Sequence, residues 1–104
     1  MESKNLFKDE NEAKLLLEES REKIDQLDND LINLINERTS LAKNIVMAKD
    51  YLSMDIYDKN REKLVQEKSK KLANEKHIDE DIISQIMELL VTLSKNEQKN
   101  IIKK

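Results

Sequence analysis

The 104-residue sequence predicts an all-α fold with three helices per chain, on three observations. It contains no glycine and no proline, so the tight hairpin turns that β-sheets need are poorly supplied. Aromatic residues make up only 3%, which starves strands of their preferred side chains. Leucine, isoleucine, lysine and glutamate recur at spacings of three and four, the period of an amphipathic helix. Charged residues reach 39%, a level also seen in disordered chains, but here the apolar residues are periodic rather than sparse.

Residues 1–12 carry mixed charge without periodicity and read as a flexible lead-in to a single helical domain over 13–104. The first helix is expected from about Glu12 to Asp50, with the apolar stripe Ile24, Leu27, Leu31, Leu34/Ile35, Leu41 and Ile45. Such a helix would span roughly 55–60 Å, too long to fold back on itself in so small a domain. A break is expected between Tyr51 and Tyr57, with Asp55 or Asp58 capping a second helix that ends near Asn74, Leu64 and Leu72 facing inward. Glu75-Lys76-His77 reads as a turn. Asp79 then caps a third helix, Ile78 and Ile83 bracket that cap as a hydrophobic staple, and the helix runs to about Ile102. One long and two shorter helices bury little on their own, so the expected solution is a dimer in which the long helices pair and the short helices of each chain cover the other.

The net charge of −3 argues against a general nucleic-acid binder. No stretch approaches the ~20 apolar residues of a membrane span. The opening residues lack the apolar core of a secretory signal, so a cytoplasmic protein is expected. Without cysteine there is no thiol chemistry, and one histidine with no recognisable ligand spacing gives no metal site.

Arginine is scarce, with three against sixteen lysines, and its placement is therefore informative. Arg38 interrupts the apolar stripe of the first helix, Arg21 precedes that stripe and Arg61 opens the second helix. A guanidinium grips a carboxylate through two parallel hydrogen bonds, so cations on packed helix faces point to a small-anion pocket. Arg38 and Lys49 are nearly three turns apart on one face, about 16 Å along the axis. Arg21 is about 25 Å from Arg38 along a straight helix and turned away from it, so the two cannot share a small ligand within one chain, whereas the Arg21 of an antiparallel partner helix would approach Arg38. Asp58, Arg61 and Glu62 cluster at the start of the second helix, and Ser94 and Gln98 share a face of the third.

These residues together resemble the all-helical chorismate mutases (the AroQ class). The run Arg21-Glu-Lys-Ile-Asp-Gln-Leu-Asp28, then Leu31, Leu34, Ile35, Glu37-Arg38 and Ala48-Lys49, is similar to the family's long first helix. Asp58-Lys-Asn-Arg61-Glu62 is similar to its second-helix motif, and His77-Ile-Asp79, Ser94 and Gln98 to its third helix. The resemblance covers about residues 14–100. It implies an intertwined, domain-swapped homodimer that converts chorismate to prephenate, in phenylalanine and tyrosine biosynthesis, without cofactor or metal. It further implies that Arg38 and the partner chain's Arg21 hold carboxylates, and that Lys49 and Gln98 donate to the ether oxygen. Glu62 and the backbone near Asp58 would hold the ring hydroxyl, with Ser94 and Arg61 completing the shell.

Two features depart from the family pattern. The loop Ser53-Met-Asp-Ile lacks an expected proline. Lys95 stands where an apolar wall is usual, and either turns outward or changes the charge of the pocket. An isochorismate–pyruvate lyase of the same fold and a non-catalytic coiled-coil module are the alternative readings. Retention of Asp58 and Glu62 favours the mutase over the lyase, and the register of Ser94, Gln98 and Glu62 with the arginines is unexplained by a coiled coil. Docking onto another shikimate-pathway enzyme stays open, because some relatives need such a partner.

Overall fold

The computed structural model describes residues 6–102. They form α1 (Glu10–Ser40), α2 (Ala42–Tyr51), α3 (Lys59–Glu75) and α4 (Glu80–Ile102), with no strand among the described residues. Residues 1–5 of the expected lead-in lie outside the described residues. The first helix starts earlier than Glu12, because Asp9 Oδ1 accepts from the Glu12 amide while Glu12 reaches back to the Lys8 amide.

The expected long first helix is present, continued as α1 and α2 with one tightened turn between them at Leu41, which keeps right-handed helical angles (φ −71, ψ −13). The cause is local. The Ser40 hydroxyl donates to the Glu37 carbonyl at 2.6 Å, the acceptor that the Leu41 amide would take in a regular helix. The Leu41 amide bonds Arg38 O at 3.2 Å instead, one residue tighter, and regular bonding resumes at Ile45. The Thr39 hydroxyl likewise donates to Ile35 O at 2.8 Å.

Asp58, rather than Asp55, caps α3 by accepting from the Arg61 amide, and Asp79 caps α4 by accepting from Asp81 and Ile82. The helices α2 and α3 end without glycine, yet both adopt the glycine-type terminus. Beyond α2, Ser53 (φ 57) donates to Asp50 O and Met54 donates to Lys49 O. Beyond α3, His77 (φ 59) donates to Asn74 O and Ile78 to Ala73 O. Each left-handed residue turns the chain sharply enough to satisfy two terminal carbonyls.

The chain divides into two units on either side of the Leu34–Ile35 bond. In the first, Leu15, Leu16, Leu17, Ile24, Leu27, Leu31 and Leu34 are all exposed. In the second, α4 packs against α3 and α2. Among the described residues its buried apolar side chains are Ala42, Val46 and Ala73. Ala42 and Val46 lie one turn apart and let α2 approach α4 closely. Leu64 and Leu72, expected inward, are exposed at 41% and 52%; Val65 and Ala73 take the inner positions of α3. The apolar spacing marked the helix correctly but mixed the side facing α4 with a side that α4 does not cover. The Ser84 hydroxyl donates to Gln66 Oε1 and Gln66 Nε2 to Ser84 O, which pins α3 to the start of α4. Among the described residues no helix is long and apolar enough to cross a membrane.

His77 occupies a position that glycine takes without steric cost, whereas a residue with a Cβ is disfavoured by roughly 1–2 kcal/mol. Replacing it, His77→Gly, is expected to raise stability by about 0.5–1 kcal/mol, measured as a higher urea midpoint with an unchanged slope. A lower midpoint would contradict this reading of the turn.

Candidate active site

A cavity of ≈ 420 Å³ opens between α2, α3, α4 and the end of α1, entirely within the second unit. Arg38, Lys49, Asp58, Arg61, Glu62, Ser94 and Gln98 all line it. These are the singled-out polar residues of three separate stretches of sequence, brought to one wall-to-wall space. Arg21 lies in the first unit, is exposed, and does not line it.

Each residue is held in a definable way. Arg38 Nη1 donates to the Leu90 carbonyl of α4 at 3.1 Å, which spends one of its five N–H donors and leaves the others for a ligand. Lys49, in the last turn of α2, donates to the Ile56 carbonyl at 2.6 Å and to Gln98 Oε1 at 3.0 Å. Gln98 is 3% exposed, the one buried polar residue among those described. Because an ammonium only donates, the Gln98 amide must turn its oxygen to Lys49. Its nitrogen then faces Ser94, donating to the hydroxyl at 3.2 Å, and keeps a second hydrogen. Lys49 likewise keeps a third. The side chains of α2 and α4 thus present a row of fixed donors along one wall.

Four cations and two carboxylates line the cavity, and both carboxylates are already engaged. Asp58 caps α3, while Glu62 pairs with Lys95 at 3.2 Å. With Glu62 balanced by Lys95, the cations Arg38, Lys49 and Arg61 outweigh Asp58 around apolar walls of Leu41, Ile45, Val65 and Val91. This is a site for an anion with an apolar body and more than one negative charge. Among the described residues no group of three or more His, Cys, Asp or Glu is placed to hold a metal ion.

Two parts of this site, the valine walls and a loop carbonyl, lie outside the residues the sequence singles out. Val91 and Val65 were readable, since they fall on the same helical faces as Ser94 and Glu62. The Ile56 carbonyl was not, because a backbone acceptor leaves no mark in residue type. Lys95, expected either to turn outward or to change the charge of the pocket, lines the cavity with its ammonium bonded to Glu62.

Comparison with known proteins places similar sequences over most of the chain. The model of the family "Chorismate mutase type II" matches residues 20–99. A chorismate mutase of Methanocaldococcus jannaschii is 41% identical over 83 residues, which is 80% of this chain and 84% of that protein.

Lys49 fastens the α2–α3 loop through its ammonium as well as its carbonyl. In Lys49→Met the backbone bond to Met54 persists but the charged bond to Ile56 is lost. Hydrogen exchange read by mass spectrometry should then accelerate about tenfold at the Ser53 and Met54 amides, whose bonds open more often once the loop is loose, with the middle of α4 unchanged. Unchanged exchange in the loop would show that the ammonium does not anchor it.

Proposed function

The chain belongs to the type II chorismate mutase family, and we propose that it is itself a chorismate mutase, an isomerase that converts chorismate to prephenate as a cytoplasmic homodimer in the route to phenylalanine and tyrosine. The observation that carries this reading is the row Lys49–Gln98–Ser94 facing Arg38 across one cavity.

The reaction is an intramolecular Claisen rearrangement. The ether C–O bond breaks as a C–C bond forms, and nothing enters or leaves. The protein therefore has two tasks: to hold a flexible dianion with its reacting ends together, and to stabilise the negative charge that grows on the ether oxygen. The guanidiniums of Arg38 and Arg61 suit the flat carboxylates. The unspent N–H groups of Lys49 and Gln98 suit the ether oxygen, since both are locked before substrate arrives and need no reorganisation. Glu62 accepts from the ring hydroxyl, assisted by the backbone near Asp58, and Ser94 completes the polar wall.

The proposed homodimer supplies what one chain lacks. The stripe Ile24, Leu27, Leu31 and Leu34 is exposed in the single chain, and an antiparallel partner helix would cover it while bringing the partner's Arg21 toward the carboxylate end of the cavity.

Purified protein should deplete the ultraviolet absorbance of chorismate, and acid treatment of the product should yield phenylpyruvate. Chorismate left intact, with pyruvate released from isochorismate instead, would overturn the assignment in favour of the lyase. The Arg38→Ala variant should lose about 10²–10³ in kcat/KM while remaining helical by circular dichroism. Near-normal activity in that variant would place the reaction elsewhere.

A further inference from the structure

Lys95 is a cation at the cavity wall to which the reaction just described gives no task. Its ammonium sits astride the Glu62 carboxylate, 3.3 Å from Oε1 and 3.2 Å from Oε2. The same ammonium lies 5.1 Å from the centre of the Tyr57 ring, within range of a cation–π attraction. Lysine, glutamate and tyrosine thus come from α4, α3 and the loop between α2 and α3, and converge on one point.

That point separates two spaces. On one side is the cavity. On the other is a polar hollow of ≈ 770 Å³ between α3 and α4, which Glu62, Lys95 and Val91 also border. A glutamate on a helix surface between two open spaces has rotamers toward either, and its unrestrained side chain spreads over them. The neighbours on its own helix do not hold it. Asp58 is committed to the α3 cap and Gln66 to Ser84. The Lys95 contact is the one ion pair among the described residues. Both partners are little more than a quarter exposed, so water weakens the pair without abolishing it.

We propose that Lys95 is a positioning residue, which holds the Glu62 carboxylate at the cavity wall so that its remaining lone pairs accept the substrate hydroxyl. The role rests on the mutase reading above. It assigns to Lys95 a contribution to substrate binding made through Glu62 and not by contact with the substrate. A carboxylate has lone pairs enough for both an ammonium and a hydroxyl, so substrate binding does not require the pair to break. Tyr57 in turn limits the directions open to the lysine head.

The test is steady-state kinetics on chorismate for Lys95→Met and Lys95→Arg, each alone and combined with Glu62→Gln. In the otherwise natural chain, Lys95→Met should raise KM about three- to tenfold with kcat within about twofold, the size expected of a partly exposed charged contact. Lys95→Arg, which keeps a cation in reach of the carboxylate, should bring KM back to within about twofold. In the Glu62→Gln background, Lys95→Met should change KM by less than about twofold, because the two effects are one. An unchanged KM in Lys95→Met overturns the proposal. So does an equal rise in both backgrounds, which would make Lys95 a direct substrate contact. Melting followed by circular dichroism guards against a folding defect, and Lys95→Gln replaces the methionine variant if that one melts early. Failure of the unsubstituted protein to make prephenate overturns the mutase reading and this role with it, and is recognised before any variant is compared.

Discussion

At the end of α2 a single ammonium joins three parts of the chain. Lys49 Nζ donates to the Ile56 carbonyl in the loop and to Gln98 Oε1 on α4, while the Lys49 carbonyl accepts the Met54 amide that turns the chain out of α2. The loop's path determines where Asp58 starts α3, and hence where Arg61 and Glu62 stand. The amide's direction determines where the free hydrogen of Gln98 stands. An ammonium has no acceptor capacity, so these bonds form in one sense only, and the donor wall is oriented before any ligand binds. This is the form electrostatic catalysis requires: dipoles set in place by folding rather than by the reaction.

The same arrangement is expensive in core. With Ala42, Val46 and Ala73 as the buried apolar residues among those described, the second unit surrounds its polar cavity with very little packed hydrocarbon. Much of the chain's large apolar surface faces outward, including the α1 stripe and Leu72, Ile82 and Leu89. A second chain laid against those faces would make folding and association one equilibrium, with stability rising with protein concentration. It would also mean that the residues completing the site and those completing the core come from the same partner, so an isolated chain would be both unstable and inactive.

Much of this was legible in the sequence. Helix ends were marked by Asp58 and Asp79, whose short carboxylates suit free amides, and the scarce arginines Arg38 and Arg61 marked residues that line the cavity. What escaped reading had physical causes. The tightened turn at Leu41 arises from a hydroxyl competing for a carbonyl, a contest that Ser40 does not announce by type. The left-handed turns at Ser53 and His77 form in a chain with no glycine to signal them. The apolar spacing of α3 could not tell the side against α4, where Ala73 is buried, from the side of Leu64 and Leu72, which α4 leaves uncovered. The pairing of Lys95 with Glu62 joins residues thirty-three positions apart, beyond any local pattern.

The proposed homodimer builds each site from Arg38 of one chain and Arg21 of another, and this can be checked by mixing two inactive variants. In that dimer, Arg21→Ala and Arg38→Ala chains, unfolded together and refolded at equal concentration, would assort at random. Shared sites predict that activity on chorismate returns to about a quarter of that of the unsubstituted protein, because half of the dimers are mixed and each of these carries one intact site. Activity no higher than that of the two variants refolded separately would contradict a site built from both chains.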